Sequence, residues 1–168
     1  MEIHDLGQYL AHHPFFTGLA PDYLALLNGC AGNVIFAAGE TIFSQGGTAE
    51  HFYLLRDGRV ALEFPHPAGN GVVIDTLDAG DVLGASWLVA PYRWPYDARA
   101  LAPTRALALD AVCLRDKCDA DPVLGYDLSR RFAAIIVERL HAAELRLTDM
   151  YANPAPAAGG ANGIAGRG

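Results

Sequence analysis

Between Asn33 and Asp110 the chain breaks into short apolar runs separated by glycine, proline and asparagine, and this texture constrains the fold more than any other feature. The stretch HFYLLRDGRVALEF holds two alternating runs joined at Asp57-Gly58, a two-residue hairpin signal. The stretch EFPHPAGNGVVIDTL repeats the device with a longer turn around Asn70-Gly71, and DARALAPTRALALD reads as a third hairpin turning at Pro103-Thr104. Short strands with a turn every 8 to 12 residues or so close into a small sandwich or barrel.

Helical patterns flank this region. Asp5 to His13 reads as a short helix. In GLAPDYLALLNGCAG, Pro21 suits a first helical turn, Tyr23, Leu24 and Leu27 share a face, and Gly29 or Gly32 stops the run. After Asp110, AVCLRDKCDAD reads as one short helix, and Pro122 opens a longer one reaching about Tyr151. Along it Leu124, Leu128 and Phe132 extend an apolar face towards the barrel. Farther on, Ile136, Leu140, Ala143, Leu147 and Met150 recur at the alternating spacing of a coiled-coil seam, narrower than the stripe a helix presents to a domain core. That seam predicts a homodimer. The expected division is residues 1–121 for the N-terminal helices and barrel, 122–151 for the long helix, and 152–168 for a disordered tail of Pro, Ala and Gly.

Composition narrows the function classes. With 168 residues, 52% of them apolar, the chain can bury one sizeable core. Twelve basic against 19 acidic residues leave a net charge of −7, which disfavours binding along a phosphate backbone. There is no basic-then-apolar leader and no apolar run of about 18 residues, so the reading is a cytoplasmic protein with no membrane span. Three unclustered cysteines point to a reducing compartment and no disulfide framework. Cys113 and Cys118 fall about 140° apart around a helix and cannot share a ligand, so with Cys30 they read as core or surface thiols. Of six histidines only His51 and His66 fall in the strand region, a weak basis for a metal site. No nucleophile elbow, phosphate loop or meaningful carboxylate pair is present, so an enzyme is not expected.

The run FAAGETIFSQGGTAEHFYLLRDGRVALEF resembles the first half of a cyclic-nucleotide-binding sensor domain of the Crp/Fnr type. Gly39, Glu40, Ile42, Phe43, Gly46, Ala49, Phe52, Tyr53, Leu55, Gly58 and Val60 carry the match, which extends over roughly residues 15–151. The resemblance implies an α+β fold: a small antiparallel double-stranded β-helix, or jelly roll, flanked by N-terminal helices and a long C-terminal dimerisation helix.

It also identifies the loop after Gly80 with the family's phosphate-binding cassette. There an acidic residue holds the ribose hydroxyl and an arginine pairs with the cyclic phosphate. Leu83 and Gly84 fit this pattern, but Ala85 stands at the acidic position and Trp94 at the arginine position, with Arg93 one residue earlier. Each missing ionic partner is worth roughly 1.5–3 kcal/mol. What remains is a set of backbone amides at Gly84, Ala85 and Ser86, expected to open a short helix, and the guanidinium fork of Arg93. Trp87, Tyr92, Trp94 and Tyr96 would either stack a flat ligand or close the barrel mouth. The candidate ligand-binding residues are therefore Gly84, Ala85, Ser86, Arg93 and Trp94. Their ligand would be a nucleotide-like or anionic aromatic molecule, if one exists. Arg99 reads as an exposed strand residue.

Regulators of this type continue into a helix-turn-helix, for which the 17 residues after Tyr151 are too few, so direct DNA binding is not expected. The resulting expectation is a non-enzymatic, stand-alone sensor or regulatory module with a degenerate cassette, dimeric and acting through an unknown protein partner. The alternatives are a ligand-free interaction or scaffold module, or a truncated transcription regulator.

Overall fold

The computed structural model describes residues 3–67, 69 and 71–152. Helix α1 (Ile3–His12), a 3₁₀ turn (Pro14–Phe16) and helix α2 (Pro21–Asn28) precede the strands. The strands are β1 (Ala31–Phe36), β2 (Thr41–Phe43), β3 (His51–Asp57), β4 (Arg59–Phe64), β5 (Val72–Asp78), β6 (Val82–Leu83), β7 (Asp97–Ala100) and β8 (Thr104–Asp110). Helices α3 (Ala111–Ala120) and α4 (Pro122–Ala152) follow. The expected disordered tail lies, from residue 153 onward, outside the described residues. One compact unit ends at Phe132 and a second begins at Ala133, so the boundary falls within α4.

The strands form two antiparallel sheets in the orders β1-β8-β3-β6 and β2-β7-β4-β5, which is a jelly roll. In the first sheet Phe52 pairs with Leu109 and Leu54 with Leu107; in the second, Val60 pairs with Ala100 and Leu62 with Ala98. All of these are buried.

The pairing corrects two of the three expected hairpins. Only β4 and β5 pair as sequence neighbours across their connection. At Asp57-Gly58 the chain passes from the first sheet to the second, since β3 pairs with β6 and β8 while β4 pairs with β5 and β7. Between Ala100 and Thr104 it passes back. A single residue separates β3 from β4, too few for a paired two-residue turn, and Gly58 takes φ +96 to turn the corner. The two corners lie against each other: a Cβ on Gly58 would come within 2.6 Å of the Pro103 carbonyl and 2.7 Å of the Thr104 Cα. Gly58 is therefore required both by its backbone angle and by this contact.

A second correction concerns the cysteines. Cys30 and Cys113 form a disulfide with Cα atoms 5.9 Å apart, leaving Cys118 as the free thiol. A separation of 83 positions hid the pair, because only the β1–β8 ladder brings the ends together.

The helices cover one side of the first sheet. Phe15, Phe52, Trp87 and Phe132 meet edge to face, stacked or tilted, with centroids 4.8–6.1 Å apart. Arg131 fixes the start of α4 by donating to the Phe15 and Thr17 carbonyls at 2.7 and 2.9 Å, while its Nε meets Asp127 Oδ1 at 2.9 Å. Asp121 caps the same helix, accepting from the Val123 and Leu124 amides, and its other oxygen accepts the Tyr23 hydroxyl at 2.8 Å. That hydroxyl bond, more than the backbone bonds, holds the Asp121 carboxyl below its ordinary pKa.

Candidate phosphate-cassette site

The loop between β6 and β7 begins at Gly84, which is buried and takes φ +91. The expected short helix after it is absent. Residues 85–90 form turns instead, with one bond from the Leu88 amide to the Ala85 carbonyl at 3.2 Å. Ala85 and Ser86 are only partly exposed. A single turn does not align four free amides as a helix end does, so the expected anion-binding terminus is not formed here.

Trp94 decides the shape of the site. Its indole stacks on Phe43 with centroids 3.8 Å apart and planes 10° from parallel, and the residue is 4% exposed. The far edge of the ring lies over Gly84, so that a Cβ there would meet Cζ3 and Cη2 at 2.8 Å. The backbone around it is fixed as well: the Trp94 amide donates to the Gly47 carbonyl at 2.9 Å, and its carbonyl accepts from the Gly46 amide at 2.8 Å. Trp94, expected at the position of the phosphate arginine, has its ring turned inward and is part of the core.

Arg93 points the other way. It is exposed, and its Nη1 donates to the Gly46 carbonyl and the Thr48 hydroxyl, both at 3.2 Å. Of the five predicted residues, Gly84 and Trp94 pack against each other, Ala85 and Ser86 follow on the adjoining turn, and Arg93 is engaged with the loop after β2. The other aromatics close the loop down. Trp87 is fully buried against Phe52 and Phe132, and Tyr92 lies under the Arg115 guanidinium at 4.3 Å.

Two contributors escaped the sequence reading. Arg115, on α3, straps the loop by donating from Nη1 to the Trp87 carbonyl at 2.8 Å. Glu63, nearly buried on the outer face of β4, takes Arg99 Nη2 at 2.5 and 2.6 Å. Arg99, read as simply exposed, is thus half of an ion pair that borders a shallow cleft of about 170 Å³ with Thr41 and Asp97. The register Ala61↔Arg99 and Glu63↔Asp97 puts the pair on one face, information held in strand pairing and not in local spacing.

The profile of the cyclic nucleotide-binding domain matches residues 33–121, more than half of the chain. The chain is 22% identical over 151 residues to the CRP-like cAMP-activated global transcriptional regulator of Mycobacterium tuberculosis, covering 90% of this chain and 66% of that protein. It is 29% identical over 137 residues to the cyclic AMP receptor protein of Thermus thermophilus, covering 80% and 60%. The chain therefore spans about two thirds or less of the length of these relatives. Among solved structures, a candidate cyclic-nucleotide-binding protein of Geobacter metallireducens superposes with a TM-score of 0.73 at 27% identity, over 80% of this chain and 98% of the other. The Thermus thermophilus catabolite activator protein gives 0.64 at 27% identity, over 82% and 63%.

Proposed function

The chain belongs to the cyclic-nucleotide-binding domain family, and from that premise we propose a non-enzymatic regulatory module whose phosphate cassette is closed to cyclic AMP and cyclic GMP. Trp94 carries the reading. Its ring lies over Gly84 where the cassette should open, and Ala85 offers no acceptor for a ribose hydroxyl. Losing two charged contacts at the magnitudes above, about 3–6 kcal/mol together, moves a micromolar ligand into the millimolar range or beyond. Arg93 does not substitute, being committed to Gly46 and Thr48. Calorimetry with cyclic AMP should detect no binding below millimolar concentration, and Ala85→Glu with Trp94→Arg should create it. Low-micromolar binding by the unaltered protein would refute the proposal.

With the cassette closed, the module acts through surface contacts, in a cytoplasmic setting and on a protein partner. The partner nearest to hand is a second copy. Ile136, Leu140, Leu147 and Met150 are 48–70% exposed on α4, and their spacing is that of a two-stranded seam. No helix among the described residues is long and apolar enough to cross a membrane, so that face is not a membrane span. Leu140→Asp or Leu147→Asp should convert the particle to a monomer in light scattering. If both variants remain dimeric with unchanged helicity, the interface lies elsewhere.

A further inference from the structure

Cys30 and Cys113 line an open cleft of about 530 Å³ whose other walls include Gly32, Val34, His51 and Asp110. The two sulfurs differ in access: Cys30 is 7% exposed, while Cys113, in the first turn of α3, is partly exposed. Their bond ties the α2–β1 junction to α3 across 83 residues, but it is not the sole tie there. The Asp110 amide donates to the Cys30 carbonyl at 2.9 Å, the Ala111 amide donates to the Glu50 carbonyl at 2.8 Å, and Ala31 pairs with Leu109 in the β1–β8 ladder. The covalent link is therefore redundant with a backbone frame that keeps the two residues together.

We propose that Cys30–Cys113 is a reversible thiol–disulfide exchange site, entered through this cleft by a low-molecular-weight thiol. The thiolate of the small molecule attacks Sγ of Cys113, the accessible sulfur, forming a mixed disulfide and releasing Sγ of Cys30 as a thiolate. A second small thiol attacks the mixed disulfide, leaves as the oxidised small-molecule disulfide, and releases Cys113. The two protons of the small thiols end on Cys30 and Cys113, so one protein disulfide is reduced and one small disulfide is formed. The reverse sequence, with a small disulfide as oxidant, closes the bond. Cys118 takes no part: it sits five residues farther along α3 and does not line the cleft, and burial, then Asp119 and Asp121, push its thiol above the ordinary range. What the exchange switches is the covalent tether on α3.

The test uses the full native chain with reduced and oxidised glutathione as the probe pair. Maleimide mass labelling should count one thiol in the oxidised protein and three after native reduction, with circular dichroism unchanged. Cys118→Ser should lower both counts by one. Cys30→Ser should trap a glutathione adduct on Cys113 at least tenfold faster than Cys113→Ser traps one on Cys30. Hydrogen exchange over residues 111–120 should rise on reduction. Reduction that needs denaturant makes the bond a structural staple and overturns the proposal, as does a native protein that keeps three thiols in oxidised glutathione. Equal adduct rates on the two variants remove Cys113 as the point of entry and overturn the proposal; if either variant fails to fold, the wild-type mass shift under native conditions decides it.

Discussion

The loop between β6 and β7 holds two tryptophans that are almost equally buried and are anchored in different layers. Trp87, 0% exposed, faces the helices: it stacks on Phe52 and meets Phe132 edge to face, both at 5.4 Å. Trp94, 4% exposed, stacks on Phe43 of β2 and covers Gly84. Seven residues apart, they fasten one end of the loop to the layer that includes α4 and the other end onto Phe43 and Gly84. The one loop is thereby part of two cores. The aromatic count alone cannot reveal this, because the same residues on the same loop could equally line a site.

The largest effect that tests this contrast is Trp87→Ala. Removing a wholly enclosed indole that Phe52 and Phe132 cannot collapse onto should cost about 4–5 kcal/mol, against about 3 kcal/mol for Trp94→Ala, where the emptied space beside Gly84 can admit water. Urea denaturation of both variants measures the difference. Equal losses would mean that the Gly84 side is as closed as the helix side, and the contrast would fail.

The next effect is a pH dependence confined to the helix side. His13 is buried, its Nδ1 accepts the Phe15 amide at 3.2 Å, and its Nε2 has no partner among the described residues. It packs on Phe16, which leads through Phe15 and Phe132 to Trp87. Burial is the main cause of a lowered His13 pKa, opposed weakly by Asp81. The folded chain thus refuses a proton that the unfolded chain accepts near its ordinary pKa of about 6.5. Stability from this group is full above that value and declines as pH falls from there towards the lower folded pKa. His13→Asn keeps an acceptor for the Phe15 amide and removes the titration. The wild-type stability between about pH 7 and pH 5 should therefore fall more steeply than the variant's, by up to about 1 kcal/mol for each unit the pKa is displaced. Parallel curves would remove His13 as the cause.

These cases show what local sequence carries. The helix starts at Pro21 and Pro122 and the strand-rich middle were legible because proline at a first helical turn and short alternating runs are local signals. The corner at Gly58 was not, since a glycine that turns between sheets and one that closes a hairpin have the same neighbours and differ only in distant pairing. The Cys30–Cys113 bond and the Glu63–Arg99 pair failed for the same reason: each joins residues that only strand register brings together. In the site, local sequence singled out Ala85 and Trp94 as candidate positions, but the inward turn of the Trp94 ring could not be read, because it depends on Phe43 lying beneath it.

The smallest effect tests whether the two ends of the loop are coupled. Arg115 reaches across from α3, donating to the Trp87 carbonyl at 2.8 Å while its guanidinium covers the Tyr92 ring at 4.3 Å. One bond thus touches the Trp87 end and one stacking contact touches the segment leading to Trp94. Arg115 is partly exposed, so a charged hydrogen bond and a cation–π contact at the low end of their ranges should together amount to about 1–2 kcal/mol. Because both contacts are made to the loop, Arg115→Ala should raise hydrogen exchange at residues 87–93 by roughly tenfold, with a shift of the urea midpoint smaller than that of either tryptophan variant. Arg115→Lys retains the charge and one donor but loses the planar fork, so it should fall between the two. If exchange rises at Trp87 and not at Tyr92, the strap holds one end alone and the tryptophans anchor the loop independently. If neither changes, packing of the two indoles is sufficient and Arg115 only decorates a loop already fixed.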